Sequence, residues 1–70
     1  MITRIGLVAG DIWNYLDEND RVADLDRIIE DLDQSRDMVL MSIGWLAREG
    51  HVVLDGEPPA YKVRLSTVKQ

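Results

Sequence analysis

The sequence has no cysteine and one histidine, His51. Without cysteine no disulfide can staple the fold and no thiolate can hold a metal, a composition that fits a reducing compartment. Long apolar runs are missing too: no window approaches the roughly 18 apolar residues that a membrane span needs. The apolar stretch at residues 5–10 is broken by Asp11 and lacks a basic leader. No signal peptide and no membrane partner are therefore expected, and the expected localisation is cytoplasmic. Positive charge is scarce, with 8 Lys and Arg against 13 Asp and Glu and a net charge of -5. It is also unevenly spread, the first fifty residues carrying -6 and the last twenty +1. Most of the chain should repel polyanions, and its C-terminal end should attract them mildly.

The signatures of common site chemistry are absent as well. No glycine-rich run leads into a Gly-Lys-Ser/Thr phosphate loop. His51 has no His, Cys or paired carboxylate at metal spacing. The acidic pairs Asp24/Asp26 and Glu30/Asp31 lack the alternating oxygen ligands of a calcium loop. Ser35, Ser42 and Ser66 have no sequence partner for nucleophilic catalysis. The expectation is no enzyme, no metal and no cofactor.

What remains is a single domain spanning residues 1–70, since 70 residues leave no room for a second. Hydrophobic residues make up 46% and charged residues 30%, enough apolar surface to drive collapse. A domain near this size buries only about 60% of its unfolded surface, so its stability is a narrow surplus.

Apolar periodicity places the elements. Ile5, Val8, Ala9, Ile12, Trp13 and Leu16 follow the helical period and predict a helix over 4–18, with Thr3 as cap. Residues 21–23 read as a short extended piece. Leu25, Ile28, Ile29 and Leu32 predict a second helix, capped by Asp24. Asp33 and Gln34 make a tight turn. Ser35 caps a third helix that runs to about Glu49 and ends at Gly50. Residues 51–54 and 61–65 predict two strands joined through Asp55, Gly56, Glu57, Pro58 and Pro59. The fold class is mainly α with a small β-hairpin. Two helices joined by a tight turn form a helix-turn-helix unit, with the hairpin closing the open side of the core.

Ser35, Val39, Ile43, Leu46, Gly50 and Val52 stand at the spacing of the third-helix signature of the winged helix-turn-helix superfamily, which the chain resembles. Two segments, 5–19 (with Ile5-Gly6, Ala9-Gly10 and Ile12-Trp13) and 43–49, resemble more narrowly a small uncharacterised prokaryotic family of stand-alone winged helix-turn-helix domains, a domain of unknown function. The resemblance covers about residues 4–65. It implies three helices plus a two-stranded C-terminal wing, and it raises DNA binding and transcription regulation as expected roles. Asp33 and Gln34 depart from the usual glycine and aliphatic of the turn, but Asp tolerates left-handed geometry.

The residues answer that expectation poorly. In a DNA-reading winged helix the third helix lies in the major groove and offers polar and basic side chains to bases and phosphates. With Val39, Ile43 and Leu46 buried, the outward positions are Arg36, Asp37, Leu40, Met41, Gly44, Ala47 and Arg48, with Trp45 at a flank. Only Arg36 and Arg48 there are basic, and the hairpin adds Lys62 and Arg64. These four fall short of the 6–10 phosphate contacts usual for strong salt-dependent binding. Asp24, Asp26, Glu30 and Asp31 crowd the second helix, where phosphates would pass.

Two function classes follow. One is a weak, acidic-surfaced DNA binder, acting as a homodimer, with Arg36, Arg48, Lys62 and Arg64 on phosphate. The other is a protein-interaction or homodimerisation module using Leu40, Met41, Gly44 and Trp45. Trp45 could instead cover the edge of the core, against the hairpin or Trp13. Gly6 and Gly10, one turn apart, form a notch for the third helix of the same chain or for a second protomer. Asp11, Asn14, Asp17 and Glu18 read as a solvated helix face.

Overall fold

A computed structural model describes residues 2–57 and 60–66, with Ile2 described for its backbone alone. Helix α1 spans Ile2–Glu18, strand β1 Val22–Asp24, α2 Leu25–Leu32, α3 Arg36–Arg48, β2 Val52–Glu57 and β3 Ala60–Leu65. This is the order of a winged helix-turn-helix. Each helix contributes one apolar stripe to a common core: Val8, Ala9, Ile12 and Leu16 from α1, Leu25 and Ile28 from α2, and Met38, Val39, Ile43 and Leu46 from α3. Val52, Val63 and Leu65 close the core from the sheet. Burying these side chains is the main favourable term in so small a fold.

The helix boundaries have local causes. The Ser35 hydroxyl accepts from the Met38 N–H at 3.1 Å and so caps α3. Gly50 sits at φ +79° just past α3, and the His51 N–H reaches back to the Leu46 carbonyl at 2.9 Å. This left-handed closure satisfies a carbonyl that the helix end would otherwise leave open. Asp33 closes α2 at φ +53°, as the turn reading expected.

Several sequence expectations need correction. The first helix begins at Ile2, so Thr3 lies inside its first turn and is no cap. Asp24 does occupy the N-cap position of α2, but its side chain makes no capping bond; its carboxylate is held by Lys62 instead. The extended piece is shifted by one residue, because Arg21 takes φ +68° and the strand starts after it. The second strand begins at Val52 and runs through Asp55 and Gly56 to Glu57, since those residues pair with β3 rather than forming the loop. Pro58 and Pro59 lie outside the described residues.

The wing is also more than a hairpin. β1 pairs antiparallel with β3, giving a three-stranded sheet of order β1-β3-β2. Arg21 and the end of β3 are tied by the Leu65 N–H donating to the Arg21 carbonyl at 2.9 Å. The short strand thereby anchors the wing to the helical layer.

Candidate protein and nucleic-acid interface

Helix α3 has one face in the core and one in solvent. Met38, Val39, Ser42, Ile43 and Leu46 are buried. Arg36, Asp37, Leu40, Met41, Gly44, Trp45 and Arg48 are exposed, as the periodicity predicted. Ala47 is the exception, being half-buried and packed on the core. Met38 joined the core without having been singled out from sequence, and Ser42, read as a tight helix contact, is buried beside it. Ser42 is tolerated there because its hydroxyl donates to the Met38 carbonyl one turn back, at 2.8 Å, leaving no unsatisfied polar group.

The solvent face is apolar along its middle. Leu40 is 37% exposed, Met41 41% and Trp45 46%. Trp45, read alternatively as cover for the core edge, keeps just under half of its surface in solvent and lies outside the buried cluster. At Gly44 an added Cβ would find no atom within 4 Å. The same holds at Gly6 and Gly10 on α1, so the reading in which α3 of the same chain fills their notch is overturned. All three glycines sit in helix interiors, where each costs about 1 kcal/mol relative to alanine. Intramolecular packing does not require any of them.

Three of the four basic candidates are less available than their sequence positions suggested. Arg36 pairs with Asp26 at 3.0 Å, joining the first turn of α3 to α2. Lys62 pairs with Asp24 at 3.0 Å, and Arg64 with Asp55 at 3.0 Å. The Asp55 carboxylate raises the Arg64 pKa above its ordinary value, first through their hydrogen bond and then through charge attraction. Arg48 alone of the four has no carboxylate partner among the described residues. Arg27–Asp31 is a further pair along α2, and Arg21, in the turn beyond α1, pairs with Asp17. The Arg27–Asp31 pair had a sequence signal in its i,i+4 helical spacing. The three that occupy Arg36, Lys62 and Arg64 had none, because they join residues that only the fold brings together.

Two surface depressions flank these features. One is lined by Asp24, Asp26, Arg27, Glu30, Asp31 and Tyr61. Beside it the Tyr15 hydroxyl donates to the Asp31 carboxylate, which raises the Tyr15 pKa, with burial adding to the effect. The other is lined by Trp13, Asp17, Arg21, Gly50, His51 and Leu65. Among the described residues no group of three or more His, Cys, Asp or Glu is placed to hold a metal ion. No helix among the described residues is long and apolar enough to cross a membrane.

Residues 1–65 match the family model described as "Winged helix-turn-helix domain (DUF2582)". The chain belongs to this family. Among solved structures, the DUF2582 domain described here is similar to the solution NMR structure of protein BT2368 from Bacteroides thetaiotaomicron. The two share 25% identity with a TM-score of 0.76, over 90% of this chain and 76% of that one. No curated protein matches. The DUF2582 assignment accounts for the element order and the wing. It leaves the function to be argued from the surface, since a fold does not carry a function by itself.

Proposed function

We propose that this domain is a protein-contact module whose contact surface is the outward face of α3, with Leu40, Met41, Gly44 and Trp45 at its centre. The observation that carries this reading is the contrast along that helix position. Its apolar side chains stand open to solvent, whereas three of the four basic side chains nearest a DNA approach are engaged by carboxylates of the same chain. Exposed Trp and Met around a flat glycine position are the composition of an interface centre.

A second reading, DNA binding with a role in transcription regulation, is supported by the winged fold and by Arg48, which has no carboxylate partner among the described residues. Its phosphate contacts would be Arg36, Arg48, Lys62 and Arg64. Exposed ion pairs are worth only about 0–1 kcal/mol, so phosphate could compete for these cations. Against it stand the net charge of -5 and the acidic surface of α2.

Fluorescence anisotropy with a mixed-sequence duplex separates the two readings. The protein-contact reading expects no binding at about 50 mM salt with protein up to about 50 µM, a condition under which phosphate contacts are at their strongest. Micromolar or tighter binding that falls steeply by about 200 mM salt overturns it.

A further inference from the structure

We propose that the open face of α3 receives α3 of a second copy of this chain, packed antiparallel about a two-fold axis. The proposal rests on the protein-contact reading and names its partner. Asp37, Met41, Gly44 and Arg48 are all exposed. Their spacing of four, three and four residues puts them on one narrow helical stripe, facing away from buried Val39, Ile43 and Leu46. In order, the stripe holds an anion, a large side chain, a gap and a cation.

Reversed end to end, that order complements itself. With the axis level with the Ser42–Ile43 peptide, Asp37 meets the partner's Arg48, and Met41 meets the partner's Gly44. Leu40 from both copies closes one side of the seam, and Trp45 from both closes the other. Each pairing occurs twice, as an isologous contact requires. The open space over Gly44 is what lets the partner's Met41 enter.

The charges at the two ends point the same way. Arg21, Arg27, Arg36, Lys62 and Arg64 are all paired within the chain. Asp37 and Arg48 have no ion-pair partner among the described residues, and they lie about 16 Å apart along the helix, too far to meet each other. Antiparallel docking pairs both. It also sets the positive end of each helix dipole beside the negative end of the other.

One helix pair buries less than the roughly 800 Å² per partner of a standard interface, so the dimer is a weak one. Sedimentation equilibrium of the full chain from about 5 to 500 µM tests it. The expected result is a concentration-dependent monomer–dimer equilibrium. Asp37→Arg and Arg48→Asp should each weaken association about tenfold, because each places like charges at both ends of the seam. An equimolar mixture of the two single variants, and the double variant alone, should each restore it. Circular dichroism verifies that every variant is folded. A wild type that stays monomeric throughout overturns the proposal, as does a dimer indifferent to both charge reversals. Either failure is distinct from failure of the broader reading, which the duplex titration decides.

Discussion

Lys62 stands directly opposite Asp24 in the pairing of β3 with β1, with Nζ 3.0 Å from Oδ1. A cation on the wing is therefore held by a carboxylate at the start of α2. Arg36–Asp26 and Arg64–Asp55 repeat the arrangement at the first turn of α3 and across β2 and β3.

If internal pairing is what withholds these cations from nucleic acid, removing the carboxylates should release them. The triple variant Asp24→Asn, Asp26→Asn and Asp55→Asn loses three negative charges and moves the net charge from -5 to -2. It should keep its fold, each exposed pair being worth at most about 1 kcal/mol. Duplex binding measured by anisotropy should rise, with a log–log salt slope of up to about -3.6 if four cations engage phosphate. An unchanged titration would show that charge pairing does not limit DNA affinity.

The two faces of α3 should respond differently to substitution. Leu40→Ser with Met41→Ser removes exposed apolar surface and should change stability by less than about 1 kcal/mol, while weakening self-association in sedimentation equilibrium. Ile43→Ala, at a position 1% exposed, should cost about 2–5 kcal/mol. Thermal melts separate them, since each kcal/mol shifts Tm by about 4–8 °C in a domain of this size.

The glycines divide in the same manner. Gly44→Ala, Gly6→Ala and Gly10→Ala meet open space and should each stabilise the monomer by up to about 1 kcal/mol. Gly56→Ala should destabilise it, because Gly56 sits at φ +91° and its Cβ would lie 2.7 Å from the Ala60 carbonyl oxygen. Urea denaturation of the four variants checks the sign of each change.

Capping should matter at one helix and not at the next. Ser35→Ala removes the bond to the Met38 N–H and should cost about 1 kcal/mol. Asp24→Ala removes no capping bond, so its loss should be smaller and should track the exposed Lys62 pair.

The Tyr15–Asp31 hydrogen bond predicts a pH signature. The folded-state pKa of Tyr15 is raised above its ordinary value of 10.0, chiefly by that bond. The stability it contributes is fully present below pH 10 and is lost as pH rises through the folded pKa. The stability gap between wild type and Tyr15→Phe should be constant from pH 7 to 9 and shrink above pH 10. Urea denaturation at pH 7, 9 and 11 measures it, and a gap that stays level across the series refutes the coupling.

Much of the fold was legible in the residues. The stripes Val8–Ile12–Leu16 and Val39–Ile43–Leu46 report buried faces, because helical period and burial are coupled locally. Ser35 and Gly50 mark the ends of α3 through capping chemistry that spans a few residues. The misses were of another kind. Asp55 to Glu57 read as a loop because Asp, Gly and the neighbouring prolines are turn formers, yet pairing with β3 draws them into a strand. β1 is only three residues long and has no period of its own; its register exists because β3 lies beside it.

The candidate site divides along the same line. Sequence alone placed the outward side chains of α3 with the exception of Ala47, and its spacing puts Asp37, Met41, Gly44 and Arg48 on one stripe, because helix geometry fixes direction from spacing. Only the tertiary structure decided which cations remain available. The distance between Arg36 and Asp26, or between Lys62 and Asp24, depends on how α2, α3 and the sheet close around the core. That closure is set by the summed burial of residues from every element. It also decided that Gly6, Gly10 and Gly44 face empty space, since a notch is defined by what the rest of the chain leaves unfilled.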